Sequence, residues 1–353
     1  MDKKIKEIIK YGIMAPSGDN SQPWRFVVTG SKLKIYNLPE KDNPYLNFMQ
    51  SGSLVAHGAL LKNIEITSLK MGLMPEISLF PTNDANLVSE VSFHNDDTER
   101  DTSLFEFIPK RATNRRPYEN KPISEKDFNI LNEVKIFNDL SLHFVNDPES
   151  KKRAGAAGSS AEIVILENSL LHEYLFRDVM WSKKQENRER HGLYIKTMEF
   201  NPIQKVLFRL AGNKTIMNFA KKIRFPYFIA KQDAVLYSTG ATIGLLNLKK
   251  ISPGNFVELG MAMEEIWLKA ASLGLSFQPI SATLFLGFKL RSDPADKVLS
   301  QEHKKIVYRS YAEIFSAFKL EKSDVPLVMF RIGYAKDPSA RSSRKEPVIE
   351  TTA

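Results

Sequence analysis

Apolar side chains recur at helical spacing from the start of the chain. Ile5, Ile8, Ile9 and Gly12 share one face of a helix that ends by Pro16. The polar run Ala15-Pro16-Ser17-Gly18-Asp19-Asn20-Ser21-Gln22-Pro23 leads into a strand over Trp24 to Val28. A Gly30-Ser31 turn leads into a second strand over Leu33 to Tyr36. A long helix is predicted from about Ser53 to Met71, stopped at Gly72, and a strand over Leu87 to Phe93. The charged stretch 95–102, with Asp96, Asp97, Glu99, Arg100 and Asp101, reads as a linker between halves 1–100 and 101–353.

The second half opens on Pro109-Lys110-Arg111-Ala112-Thr113-Asn114-Arg115-Arg116-Pro117-Tyr118. A helix is expected after Ser124, with Asp127 near capping-box spacing. Gly155 and Gly158, beside Ser159 and Ser160, read as a turn, and the stretch 160–230 as irregular and helix-rich. A strand is predicted over Ala234 to Ser238, then a long helix from about Asn255 to Ser272, stopped at Gly274. A last strand, Leu327 to Tyr334, precedes a basic tail.

The two long helices resemble an internal repeat. A shift of 202 residues lays Gly58 on Gly260, Ile64 on Ile266, Gly72 on Gly274 and Leu73 on Leu275. Helices alternating with short strands then predict an α+β fold of two related halves.

Composition narrows the chemistry. At 42% hydrophobic and 26% charged residues, the chain has the means to build a core, so disorder throughout is excluded. It has no cysteine, which excludes disulfides, thiolate metal sites and a cysteine nucleophile, and agrees with a cytoplasmic location. The N-terminal run Met1-Asp2-Lys3-Lys4 lacks the apolar core of a signal peptide, and no stretch of 18 apolar residues occurs. The net charge of +9 is uneven. From Phe200 to Gln232 there is no acidic residue, against Lys205, Arg209, Lys214, Lys221, Lys222, Arg224 and Lys231. Such a stretch serves a solvated face, an anionic cofactor, nucleic acid or anionic lipid.

Two polar clusters carry candidate chemistry. Asn20 and Gln22 each offer an amide donor and acceptor on a turn stiffened by Pro16 and Pro23. Arg111, Thr113 and Arg115 alternate, so in an extended segment they point one way and can converge on a phosphate. A third basic cluster, Arg341-Ser342-Ser343-Arg344-Lys345, follows the last strand and reads as a phosphate contact or a frayed tail. Dinucleotide, P-loop and nucleophile-elbow motifs are missing, and the six histidines show no ligand spacing, so no metal is expected.

Taken together the clusters resemble the nitroreductase family of FMN proteins. Ala15-Pro16-Ser17 with Asn20 and Gln22-Pro23-Trp24 is similar to that family's A-P-S-x-x-N-x-Q-P-W run, and Arg111-x-Thr113-x-Arg115 to its R-x-S-x-R phosphate motif. Gly274-Leu275 with Pro279-Ile280 resembles the loop near flavin N5, and Arg344-Lys345 the terminal basic pair. The motifs are split: the first half holds only the A-P-S turn, the second only the phosphate motif. This resembles the twin, Acg-type members, in which two degenerate copies are fused into an intramolecular pseudo-dimer.

The resemblance implies one FMN per chain. Pro16, Ser17, Asn20 and Gln22 would sit at the ring's polar edge, Arg111, Thr113, Arg115, Arg344 and Lys345 at the phosphate, and the Pro279, Ile280 and Ser281 backbone near N5. It implies hydride transfer from NAD(P)H to the flavin and on to a quinone- or nitro-type acceptor, with no catalytic side chain. Ser281-Ala282 stands where the family has Glu-Gly, and an insertion at about 165–230, with Trp181, Phe208, Phe219, Phe225 and Tyr227, reads as a lid. Both departures leave open an FMN storage protein with little turnover. A monomer suffices for such a site; neither nucleic acid nor a membrane is an expected partner, although residues 200–232 keep an interfacial helix in view.

Overall fold

A computed structural model describes residues 2–96, 98–137 and 139–352. Met1 of the N-terminal run and Asp97 of the charged stretch lie outside the described residues. The alternating pattern of the first half folds as α1 (Asp2–Gly12), β1 (Trp24–Thr29), β2 (Lys32–Asn37), α2 (Ser51–Lys70), β3 (Leu73–Leu79) and β4 (Leu87–Asn95). Helix α1 lays Ile5, Ile8 and Ile9 into the core, each fully buried. Helix α2 is buried on nearly every side, as its mixed small and apolar sequence requires.

The second half runs α3 (Glu125–Asn132), β5 (Leu140–Val145), α4 (Pro148–Glu167), α5 (Ser169–Arg177), β6 (Val179–Met180), α6 (Lys183–Glu189) and β7 (Leu193–Tyr194). It continues with α7 (Pro202–Ala211), α8 (Lys214–Lys222), α9 (Phe225–Tyr237), β8 (Thr242–Leu248), α10 (Pro253–Ser272) and β9 (Ser276–Pro279). It closes with α11 (Ala282–Ser292), α12 (Gln301–Phe318), β10 (Val325–Gly333) and β11 (Ile349–Thr352). Side chains at helix starts accept from backbone amides: Ser124 from Asp127, Asp147 from Ser150, Ser252 from Asn255 and Ser300 from His303.

The two main sheets share one plan. The first has strand order β11-β1-β2-β4-β3 and the second β5-β8-β10-β9. Apart from β11, equivalent neighbours pair antiparallel in both. In each, a long helix (α2 or α10) follows the second strand and precedes the next. The second half adds two insertions, α4 to α9 between β5 and β8, and α11 with α12 between β9 and β10. The long helices cross at the glycines that the 202-residue shift superposes. A Cβ on Gly58 would stand 1.9 Å from the Val257 carbonyl oxygen, and one on Gly260 2.0 Å from that of Val55. Val55 and Val257 are themselves related by the same shift, so the contact is reciprocal. Gly72 and Gly274, which end the two helices, both have φ of +70°.

Several expectations are corrected. Ala234 to Ser238 is not a strand: Ala234 to Tyr237 is the last turn of α9, because Pro226 starts a helix whose spacing continues through them. The strand is Thr242–Leu248, a wholly buried run with no alternation to mark it. Gly155 and Gly158 are not a turn but lie inside α4. A Cβ on Gly155 would stand 2.9 Å from the Ser238 backbone nitrogen, beside the end of α9. Strand β3 and helices α11 and α12 were not expected. Nor is the tail frayed: β11 pairs in parallel with β1, Phe26 with Ile349 through Thr29 with Thr352. The chain's last strand thus completes the sheet of its first half. Among the described residues no helix is long and apolar enough to cross a membrane.

Candidate functional site

The turn after α1 adopts left-handed backbone at three of four consecutive residues: φ is 45° at Asp19, 59° at Asn20 and 54° at Gln22. Asp19 and Asn20 tolerate left-handed backbone, but Gln22 does so at a cost, so the turn is held in a constrained conformation. Local bonds hold it. The Gln22 amide donates to Ser17 Oγ at 3.0 Å, and Gln22 Nε2 donates to the Asn20 and Arg190 carbonyls. The Lys345 amide donates to Gln22 Oε1 at 2.8 Å, and Asn20 Nδ2 donates to the Ser343 carbonyl at 3.1 Å. Gln22 therefore fastens the turn to the tail and to the 190 loop, and among the described residues it lines none of the three chambers described next.

Beside this turn lie three chambers that share Arg115. The first, about 110 Å³, is lined by Pro16, Ser17, Asn20, Arg111, Thr113, Arg341 and Arg344. The second, about 350 Å³, adds Glu162, Tyr237, Gln278 and the segment Pro279, Ile280, Ser281 and Ala282. The third, about 170 Å³, is apolar and lies between α4, α7 and α9, with Phe208, Phe225 and Phe228 among its walls. Leu171, Leu175, Leu193, Met198 and Phe208 from the insertion close over the central chamber. Of the insertion's expected aromatic residues, Phe208 faces the central chamber and Phe225 the apolar one, whereas Phe219 points outward, 65% exposed.

The smallest chamber is electropositive. Arg111 is buried, with Nε 3.0 Å from Oε1 of the fully buried Glu264 and its guanidinium 4.4 Å over the Trp267 ring. Arg344 donates through Nε to the Ile13 carbonyl at 3.1 Å and through Nη2 to that of Ala15 at 3.1 Å, near the end of α1. Burial beside Arg111 pulls Arg344 down to about 9. Arg115 donates to the Thr197 carbonyl at 3.2 Å. Asp19 lines the same chamber and attracts Arg115, but burial raises its carboxyl and weakens its charge. Among the described residues Arg115, Arg341 and Arg344 have no carboxylate ion pair, so the chamber keeps cationic charge that an anion would relieve.

The 279–282 segment of the central chamber is different. The Ile280 amide donates to the Met329 carbonyl at 2.8 Å, and Ser281 Oγ exchanges bonds with both backbone groups of Met329. Ile280 N–H is therefore committed, and the Ser281 side chain serves the fold. The Ser281 and Ala282 backbone, where α11 begins, remains on the wall. Burial, with Asp233 and Asp19 nearby, pushes Glu162 up to about 8, so it keeps its proton at neutral pH.

The structure thus gathers Pro16, Ser17, Asn20, Arg111, Thr113, Arg115, Pro279, Ile280, Ser281 and Arg344 from both halves around adjoining chambers. Asn20 stands at the arginine chamber rather than by the far wall. Lys345 does not line either chamber: it lines a neighbouring pocket with Lys41, Arg177 and His191, on the other side of Gly18 and Asp19, and Arg341 lines the arginine chamber instead. The acidic and phenolic residues Asp19, Glu162, Asp233 and Tyr237 were missed. They are isolated in sequence, and only the packing of α4 against α9 assembles three of them.

His57 of α2 supports the turn from below. Its Nε2–H donates to the Pro23 carbonyl at 3.0 Å, while the buried Nδ1 has no partner among the described residues, so the ring is neutral. Burial lowers it from 6.5 to about 4. A depressed histidine contributes stability that is complete above pH 6.5 and lost as pH falls to about 4. Acid unfolding is expected to be steep in that window for the parent and shallower for His57→Gln, measured by urea titration from pH 7 to pH 4. Equal pH profiles would refute the role.

No family model matches the chain. A curated relative, an uncharacterized protein of Mycobacterium tuberculosis (strain CDC 1551 / Oshkosh), is 22% identical over 351 residues. The match covers 96% of this chain and 47% of the relative, so the chain spans about half the length of that relative. Among solved structures, an FMN-dependent nitroreductase from Clostridium difficile R20291 overlays 68% of this chain and 91% of its own, at 10% identity and a TM-score of 0.35. A nitroreductase with bound FMN from Bacteroides fragilis NCTC 9343 overlays 69% and 92%, at 14% identity and a TM-score of 0.35. Iodotyrosine deiodinase bound to FMN and 3-iodo-L-tyrosine overlays 69% and 95%, at 14% identity and a TM-score of 0.37. Over about two thirds of its length, the chain is similar to nitroreductase-type FMN proteins, at low identity.

Proposed function

We propose that the chain is two fused nitroreductase-like copies that hold one FMN between them and act as a flavin oxidoreductase. The observation that carries this is the joining of two chambers built from both halves. One is a small chamber with three arginines that have no carboxylate ion pair among the described residues; the other is a larger one walled by the 16–19 turn and the 279–282 segment. Their lining suits a ligand with a phosphate at one end and a larger ring system at the other.

Bound FMN would supply reversible hydride acceptance on its ring; the protein's part is placement and electrostatics. Arg115, Arg341 and Arg344 neutralise the phosphate, with Thr113 as hydroxyl donor. Arg111 acts beside them with its charge shared by Glu264. The Ser281 and Ala282 amides are the main-chain donors left on the ring-side wall. Glu162 keeps a proton at that wall near neutral pH, and the insertion excludes water. The proposed partners are NAD(P)H as reductant and a small quinone- or nitro-type acceptor, in the cytoplasm.

The first test is the absorption spectrum of the purified protein, with the released chromophore identified. Flavin bands and one FMN per chain are expected; two per chain would mean that each half kept a site, and a colourless protein that takes up no FMN refutes the reading. Arg115→Ala is expected to weaken FMN binding roughly tenfold to a hundredfold, the worth of a charge-assisted phosphate contact. Full occupancy in the Arg115→Ala/Arg344→Ala variant would sink the phosphate assignment. Anaerobic mixing with NADPH or NADH should bleach the flavin rapidly; very slow bleaching would favour a storage protein instead.

A further inference from the structure

The insertion that roofs the cavity carries apolar side chains on its outside. Nine of the sixteen exposed large apolar residues among those described fall between Ile203 and Val235. Their spacing is that of an amphipathic helix turned outward. On α7, Ile203, Val206, Leu207 and Leu210 make an i, i+3, i+4, i+7 stripe, while Phe208 and Ala211 face inward. On α8, Ile216 and Phe219 face out, and Met217 is buried. Ordinary surface helices put such a stripe against a core. Exposed patches of this kind mark interaction surfaces.

The same segment is cationic throughout. Lys205, Arg209, Lys214, Lys222, Arg224 and Lys231 are exposed, and no acidic residue lies between Phe200 and Gln232. Lys214 pairs with Glu173, whereas Lys205, Lys222 and Lys231 have no ion pair among the described residues. Interleaved apolar and basic side chains on an outward helical face are what an interfacial helix needs to bury its apolar side among acyl chains and hold anionic headgroups. A second copy of this face would meet like charge with like, and nucleic acid would leave the apolar stripe uncovered.

The position of the patch adds an independent reason. Leu207 and Phe228 belong both to the exposed face and to the wall of the apolar chamber, which shares Arg115, Glu162, Tyr237 and Gln278 with the central cavity. The outward stripe therefore borders an apolar chamber that adjoins the site.

We propose that the outer face of α7 to α9 docks on an anionic lipid bilayer, and that the chamber beneath it admits an apolar ligand dissolved in that bilayer. The docking stands on the surface alone; the ligand class rests on the cavity being the FMN site. This replaces the expectation of no membrane partner with peripheral attachment.

The test is co-sedimentation of the full chain with vesicles of neutral phosphatidylcholine and with vesicles containing anionic phosphatidylserine, at low and high salt. Binding is expected only to the anionic vesicles and to fall with salt. Ile203→Glu/Phe219→Glu should weaken it roughly tenfold or more, and Lys205→Gln/Lys222→Gln by a similar factor. Ile203 and Phe219 are 72% and 65% exposed, so their variants should keep the fold, checked by unchanged thermal unfolding. Equal binding to both vesicle types, or to neither, overturns the proposal. So does a dimer that Ile203→Glu/Phe219→Glu abolishes without any vesicle binding, or duplex DNA bound in place of vesicles. Flavin content is read on the same preparation. A colourless protein that binds vesicles keeps the docking and sinks the FMN site; a flavin-loaded protein that ignores vesicles does the reverse.

Discussion

Gly58→Ala is expected to destabilise the protein by about 3 kcal/mol or more, at or above the upper end of ordinary core overpacking. The added methyl would meet the Val257 carbonyl oxygen at 1.9 Å and the Met261 backbone nitrogen at 2.7 Å. Neither is the end of a flexible side chain, so α2 and α10 must separate. Everything on the two helices then moves, including Glu264, whose partner Arg111 lines the arginine chamber. Gly260→Ala should behave alike, because its methyl would meet the Val55 carbonyl oxygen at 2.0 Å. Gly254→Ala is the control: it sits in the first turn of α10 with only Ser252 Oγ within reach, at 3.9 Å, and replacing glycine in a helix is itself mildly favourable. Chemical denaturation of the three variants reads this out. A Gly58→Ala midpoint equal to the parent's would contradict the helix crossing.

The second large effect belongs to Arg111. Arg111→Ala leaves Glu264 without its cation in a site with no solvent exposure, and breaking a buried pair costs about 3–5 kcal/mol. It also removes the guanidinium from the Trp267 face. Burial already raises Glu264 against the pull of Arg111, so the variant's carboxyl should take up a proton and recover part of the loss. Arg111→Met/Glu264→Leu replaces the pair by apolar groups of similar bulk and should restore most of the stability. Its FMN affinity should stay low, since the chamber has lost a cation. Denaturation and flavin titration on the same two variants separate the roles. Full FMN affinity in the double variant would confine Arg111 to the fold.

What could be read in advance was whatever rests on local chemistry. The helix over 51–70 shows itself by its length and its stop at Gly72, and β1 and β2 by alternation on either side of Gly30-Ser31. The strand Thr242–Leu248 did not, because a strand buried on both faces loses its alternation. Ala234 to Tyr237 carries β-compatible residues, yet helix propagation from Pro226 and close packing of α9 on Gly155 outweigh that local preference. The partner of β1 lies more than three hundred residues away, and no local signal announces such a pairing.

The candidate site divides the same way. By itself the sequence determined the polar turn at 16–22, the alternating Arg111, Thr113 and Arg115, and the equivalence of Gly58 with Gly260, because each depends on spacing along one segment. Only the tertiary structure decided that Gln22 clamps the tail, that Arg341 and not Lys345 lines the arginine chamber, and that Glu162 meets Asp233 and Tyr237. It also decided that the stripe of α7 faces outward. The reason is physical: spacing specifies which side chains share a face, but where that face is spent depends on segments brought against it from distant parts of the chain.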